Sequence, residues 1–191
     1  MKKMPIAVCS ITAVLALVVF SPAHSSPVQW TLQNVTFNDG GTASGSFYYD
    51  ADTNVYSSIN VTTTAGSVLA GQSFSGLLTD VGITASQFGM APFPSTTVSG
   101  LPVFLVKFSN ALTNAGGTSN LVTGTYNPFF PAQGSYEAVC VVNGVCGTPI
   151  PLSHIRLLTA GTVTAVPVPA AVWMFGSALG LMGLLRRKAI S

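Results

Sequence analysis

The feature that most constrains this chain is a recurring alternation. Short stretches of alternating apolar and polar residues are broken at regular intervals by Asn, Asp and Gly. Such a pattern builds strands with one buried face, joined by tight turns. Val28, Trp30 and Leu32 alternate, and Val35 and Phe37 continue the apolar face one residue out of step. A strand from Val28 to Phe37 with a one-residue shift near Asn34 satisfies both halves. Asn38-Asp39-Gly40-Gly41 is a turn, because these residues accept positive φ. Thr42 to Asp50 returns as a second strand with Phe47 and Tyr49 on one face, and Val55 to Thr64 follows after the turn Asp50-Ala51-Asp52-Thr53-Asn54. Phe74 to Leu78 reads as a fourth strand. Thr84-Ala85-Ser86-Gln87 reads as a capping box opening one short helical turn near Phe88. Met90-Ala91-Pro92-Phe93-Pro94 is expected to be a loop, and Leu101 to Phe108, the most apolar internal run, a central strand. Asn110 to Gln133 is rich in Asn, Gly, Thr and Pro. Ser135 to Val142 and His154 to Val166 complete the sheet. Within the body no run carries the signature of a helix as long as ten residues. The expected fold is all-β, an antiparallel β-sandwich or jelly-roll-like domain.

Two apolar segments flank this body within the 191 residues. Met1-Lys2-Lys3 precedes an apolar run of 15 residues, Ile6 to Phe20, and Ala23-His24-Ser25 offers small residues for cleavage. Residues 1–25 therefore read as a secretory signal peptide, with Cys9 inside it. At the other end, Ala170 to Leu185 holds 16 residues without a charge, and the uncharged run is 20 residues when counted from Val166. As a helix the shorter run spans about 24 Å and the longer reaches the roughly 30 Å of a bilayer core. Pro167 and Pro169 fit its first turn, and Gly176 and Gly180 form a G-x-x-x-G pair that permits close helix contact. A transmembrane helix over about 169–185 is expected, and Arg186, Arg187 and Lys188 hold its end in the cytoplasm. The β domain, residues 26–165, then lies on the outer side and is large enough for one core.

Val166-Pro167-Val168-Pro169-Ala170, the single span and the basic stop together resemble the PEP-CTERM sorting signal of Gram-negative bacteria. Trp173-Met174-Phe175-Gly176-Ser177 is similar to the Trp-Leu-Phe-Gly-Ser block of such tails, while Val168 stands where the family usually has glutamate. The resemblance covers 166–188. It implies recognition by exosortase, a membrane transpeptidase that cuts near the motif and releases or re-anchors the body. It also implies transient membrane attachment through the C-terminal helix, a final place at the cell surface or outside the cell, and association with exopolysaccharide and biofilm. The run Phe37 to Phe47 is similar to the start of β domains found in that family.

Charge narrows the chemistry. The formal net charge of +2 is set by the ends, since five of seven Lys and Arg residues lie there. Lys107 and Arg156 face Asp39, Asp50, Asp52, Asp80 and Glu137, so two bases against five acids leave the body at −3. A nucleic-acid partner is not expected, because phosphate binding needs a basic patch. Solubility falls to Ser, Thr, Asn and Gly.

In Cys140-Val141-Val142-Asn143-Gly144-Val145-Cys146, a three-residue hairpin loop at Val142-Asn143-Gly144 sets Cys140 opposite Cys146, within disulfide reach in an oxidising compartment. Zinc would want four ligands where the body offers two cysteines and His154. Asp50-Ala51-Asp52-Thr53-Asn54 resembles half of a calcium loop, but Val55 and Val61 replace the Gly and Glu an EF-hand needs, so a turn is expected. No metal and no cofactor are expected. Asn34-Val35-Thr36 and Asn60-Val61-Thr62 match the glycosylation sequon.

No catalytic residue stands out. There is no G-x-S-x-G elbow, the acids fall mostly in turns, and His154 beside Arg156 reads as a surface pair. Phe88, Phe93, Phe129 and Phe130 lie in Pro-framed loops, where aromatics stack on sugars, contact a partner, or cap the core. Phe93, Phe129 and Phe130 are the candidate ligand-contact residues. The function expected is structural or adhesive, not enzymatic; a carbohydrate-binding module is the alternative and a secreted hydrolase the third reading.

Overall fold

The computed structural model describes residues 26–98, 100–126, 133–140 and 152–165. These form β1 (Val28–Phe37), β2 (Thr42–Asp50), β3 (Val55–Thr63), β4 (Ser73–Phe74), β5 (Gly76–Leu78), β6 (Gln87–Ala91), β7 (Pro102–Lys107), β8 (Gly117–Asn120), β9 (Tyr136–Val139) and β10 (Ile155–Ala165). The strands run β4-β3-β2-β1-β10-β9-β7-β6-β5, with β8 also on β10, and all these strand pairs are antiparallel.

Two segments turn this path into a nearly closed, barrel-like sheet. β10 is the first. Its residues Ile155–Leu157 pair with β9, while Leu158 onward pairs with β1 and Thr162–Ala165 with β8. β4 and β5 are the second, separated only by Ser75: Ser73 and Phe74 pair with β3, and Gly76–Leu78 with β6. One short extended segment thus touches both ends of the path. Strands that change partners at corners are the usual way a twisted sheet folds over its own core.

The local chemistry follows the alternation. β1 buries Val28, Trp30 and Leu32, then Val35 and Phe37. Between them its register slips against both neighbours, and Asn34 takes a φ of 52°. Asn tolerates that left-handed conformation, so the extra residue keeps the apolar side inward across the slip. β2 buries Phe47 and Tyr49 as expected. A second irregularity lies where Ser46 to Tyr48 passes β3, with Ser58 at φ 47°.

The core is aromatic. Phe47 of β2 packs at 4.8 Å from Phe88 of β6, Phe88 stacks at 4.1 Å on Tyr56 of β3, and Phe37 meets Phe104 of β7 edge-on at 5.5 Å. These pairs bridge the two walls and bury large area with defined geometry. The Tyr56 hydroxyl donates to the Thr84 carbonyl at 2.7 Å, fastening the loop before β6 to β3. Trp30 is buried with its indole N–H unpaired among the described residues.

Several expectations change. Phe88 lies in strand β6, not beside a helical turn: Thr84 and Gln87 exchange backbone hydrogen bonds of 2.9 and 3.2 Å, a tight turn that returns the chain extended. The Thr84 hydroxyl accepts the Ser86 N–H at 3.2 Å, as a cap would, but the ring of Phe88 belongs to the core. Met90 and Ala91 sit in β6, not in a loop. The expected fourth strand is split at Ser75 between two partners. Thr64 lies just past β3. β7 is central as expected, between β9 and β6. Among the described residues no helix is long and apolar enough to cross a membrane, and the expected span 169–185 lies outside them.

Gly45 gives a test of this packing. It takes φ +128°, and a Cβ there would collide with the Asn60 carbonyl oxygen of β3. Gly40, at φ +87°, faces open space. Gly45→Ala is expected to lose about 2–4 kcal/mol, from left-handed strain and overpacking together, and Gly40→Ala only about 1–2 kcal/mol. Urea midpoints of the two variants against the parent check this.

Candidate functional site

Two constellations stand out: a buried ion cluster where the two walls meet, and an outer sheet face without charge. The cluster centres on Arg156, which sits in β10 directly opposite Glu137 of β9. Its Nη2 and Nε donate to Glu137 Oε2 at 2.7 and 3.1 Å. Its Nη1 donates to the Thr64 carbonyl at 2.8 Å and to Asp39 Oδ2 at 3.4 Å. None of the three side chains has any exposed surface. The guanidinium lies 4.4 Å from the centre of the Phe37 ring, so a π face covers one side of the cation.

The acids are held as fully. Asp39 Oδ1 accepts the Gly41 N–H at 3.0 Å, and Oδ2 accepts those of Val68 and Leu69 at 3.4 and 3.3 Å. Glu137 Oε1 takes the Thr63 hydroxyl at 3.4 Å. The space is made by glycine: a Cβ at Gly41 would strike Arg156 Nη1, and one at Gly66 the Asp39 carboxylate. Burial pushes the Asp39 carboxyl up, but the N–H groups of Gly41 and Leu69, the Arg156 charge and the Val68 N–H outweigh it and hold the carboxyl below its ordinary value of 3.8. Burial pushes Glu137 above its ordinary 4.5, against the opposing pull of Arg156. With every polar atom engaged and no surface open, this cluster works as a clamp between the β1–β2 turn, the loop after β3, β9 and β10.

The outer face of β8, β10, β1, β2 and β3 carries the second constellation. Thr118, Thr164, Thr31, Ser46 and Asn60 form one rank directly across five strands. Thr36 pairs with Thr42, and their hydroxyls lie 3.0 Å from those of Thr159 and Thr64, giving a second rank. Ser44, Thr62 and Ser73 make a third across β2, β3 and β4. Tyr48, flanked by Gln29 and Ser57, is the aromatic residue of this face, and Gln29 Nε2 donates to Ser46 Oγ at 3.1 Å. Neighbouring strands lie about 4.8 Å apart, which sets the spacing along each rank. The ranks contain no charged residue. Asp50 stands at the rim, where its Oδ1 accepts the Asp52 N–H at 2.9 Å and its Oδ2 the Thr53 hydroxyl at 2.8 Å.

The expected sites fall as follows. The Asp50–Asn54 segment is a turn, steadied by Asn114, whose Oδ1 accepts the Ala51 N–H at 2.8 Å. The Thr53 hydroxyl holds the Asp50 carboxyl below its ordinary range, against a slight upward push from burial. Among the described residues no group of three or more His, Cys, Asp or Glu is placed to hold a metal. Phe93 is 53% exposed on a fixed loop: the Ser75 hydroxyl donates to the Pro92 carbonyl at 2.6 Å, and Ser95 exchanges backbone bonds with Leu77 and Thr79 at 3.1 and 3.0 Å. Phe88 is no loop residue but core. Phe129, Phe130, Cys146, the motif Val166 to Ala170 and the stop Arg186 to Lys188 lie outside the described residues. Cys140 is 1% exposed just after β9, its N–H bonded to the Leu101 carbonyl at 3.0 Å.

The surface pairing of His154 with Arg156 is corrected. Arg156 turns inward, and His154 Nδ1 lies 3.0 Å from the Ser153 hydroxyl. The cluster itself was missed by sequence reasoning. Its signal was there in Tyr136-Glu137-Ala138-Val139 and Ile155-Arg156-Leu157-Leu158, two lone charges of opposite sign inside apolar strand runs. No protein-family model, curated protein or solved structure matches the chain.

Arg156→Met strands two buried carboxyls without their cation and is expected to cost about 3–5 kcal/mol, read from urea unfolding. Acid adds a second test. Because the Asp39 carboxyl is held below 3.8, its stabilisation is present above that pH and is lost as the pH falls through the folded value. The stability gap between the parent and Asp39→Asn should therefore hold above 3.8 and narrow as the pH falls below it. A gap that stays constant would show that the charge of Asp39 is not what stabilises.

Proposed function

We propose that this chain is an exported, exosortase-sorted protein of the cell surface or extracellular matrix. Its role is structural or adhesive and associated with exopolysaccharide in a biofilm. Sorting rests on the tail, Val166-Pro167-Val168-Pro169-Ala170 followed by an apolar run and Arg186-Arg187-Lys188. The structural observation that carries the role is the outer face of β8, β10, β1, β2 and β3. It is a broad, ordered, uncharged surface of hydroxyl and amide groups, suited to adhesion and lacking the convergent titratable groups of acid–base chemistry. The curled sheet is read as a flattened β-sandwich whose layers meet at β10 and at Ser75. The Cys140–Cys146 bridge belongs to the same reading, and the burial of Cys140 just after β9 supports it.

The second reading is a carbohydrate-binding module. The exposed, tethered Phe93 favours it, because an aromatic ring on a rigid loop is a ready contact for a sugar.

Intact mass of the protein from culture supernatant and from membranes tests the sorting. The expected supernatant species lacks residues 1–25 and those after about Pro169, and gains about two mass units on reduction as the two sulfurs of one disulfide each take a hydrogen. A membrane species retaining Arg186, Arg187 and Lys188 as the sole product would overturn the sorting. Deletion of the chain should thin the biofilm if the role is structural.

A further inference from the structure

We infer that the outer face of β8, β10, β1, β2 and β3 is a docking surface for an uncharged polysaccharide, which lies across the hydroxyl ranks with Tyr48 as its aromatic contact. The inference rests on the proposed matrix role and names the chemistry of its partner.

The charge of the face matches a neutral partner. Within 26–165 the charged side chains are Asp39, Asp50, Asp52, Asp80, Lys107, Glu137 and Arg156. Three of them are consumed in the buried clamp, and none of the other four stands in the ranks. An anionic polymer finds no cation in these ranks, and a cationic one finds carboxylates only in the β2–β3 turn at the rim, where Asp50 is already occupied by the turn itself. A neutral polymer loses no ionic hydration here. Desolvating hydroxyls and amides costs far less than desolvating charges, provided each regains a hydrogen bond.

The face is also ordered. Thr36 with Thr159, Thr42 with Thr64, and Gln29 with Ser46 already bond to one another. Their rotamers are fixed before any ligand arrives, so less side-chain entropy remains to be lost on binding. Asn60 and Thr118, at the two ends of the longest rank, are exposed. Tyr48 stands outward between the buried Phe47 and Tyr49, offering a ring with a polar tip. A long polymer can contact several ranks at once, so weak contacts multiply.

The test uses the protein as purified from the cells that make it, with cellulose, dextran and starch as uncharged probes and alginate as an anionic one. The expected result is retention on at least one uncharged probe that does not change between 50 mM and 1 M NaCl, chosen because screening removes only ionic attraction. Tyr48→Ser and Asn60→Lys should each weaken retention at least tenfold with unchanged urea midpoints. Loss on Phe93→Ala with the face variants still binding would move the site to the loop and overturn the inference. So would binding only to alginate that fades with salt, or retention by none of the uncharged probes. Self-association abolished by Asn60→Lys, with no glycan retained, would make a second copy the occupant instead. Because localisation is read separately by mass, failure here leaves the sorting standing, and failure of sorting leaves this binding measurable.

Discussion

The fold depends on one buried cation. Arg156 sits in β10 one residue before the strand exchanges β9 for β1, which is where two walls of the sheet must be held at an angle. Hydrophobic packing is non-directional and fixes such a corner poorly. A guanidinium has a planar fork of donors and demands particular acceptors in particular places. Here those acceptors come from β9, from the β1–β2 turn and from the backbone after β3. The corner closes correctly only when all three arrive. A buried ion pair is weak as net stabilisation, because desolvation offsets much of the attraction. Its value is that incorrect closures leave a charge unpaired, at a penalty of several kcal/mol.

That choice shapes the outside of the molecule. Three of the few charges in the β domain are drawn inside, which leaves Lys107, Asp50, Asp52 and Asp80 for the surface. Water must then be met by hydroxyls and amides, and β geometry puts them in order: every second residue of each strand points outward, and register lines them up across strands. The ranks of Thr and Ser are thus a product of the same alternation that fills the core with Trp30, Phe47 and Val61.

Alternation is local, and what it encodes was legible. The slip near Asn34, the turn at Asn38–Gly41, the two inward rings of β2 and the central place of β7 all follow from side-chain period and turn chemistry within a few residues. The clamp was not legible, because Asp39 and Arg156 are 117 positions apart and nothing local says that either is buried. A lone charge in a strand is ordinarily an outward residue, so Arg156 read as surface. The Thr84 tetrad failed for a related reason. Its residues suit a cap and a tight turn equally, and what decides between them is Phe88 docking on Phe47 and Tyr56, which lie far back in the chain. Phe74 and Leu78 read as one strand because they are one extended segment; that its halves pair with β3 and β6 is a property of closure, not of sequence pattern.

The two candidate contact surfaces differ in what holds them. Phe93 is a single ring on a loop tied at Ser75, Leu77 and Thr79, in and beside β5, one of the shortest strands of the sheet. The hydroxyl face is built on β1, β2, β3 and β10, the longest strands, whose spacing is set by ladders that resume their pairing on either side of each bulge and whose inner sides are packed against the aromatic core. A surface that must present many weak polar contacts needs that rigidity, since each contact counts only if its group is already in place. The clamp supplies it: Arg156 locks β10 to the β1–β2 turn, and β10 and β1 carry the middle of every long rank. The buried charge and the uncharged face are in this sense one device, the first holding the second in register.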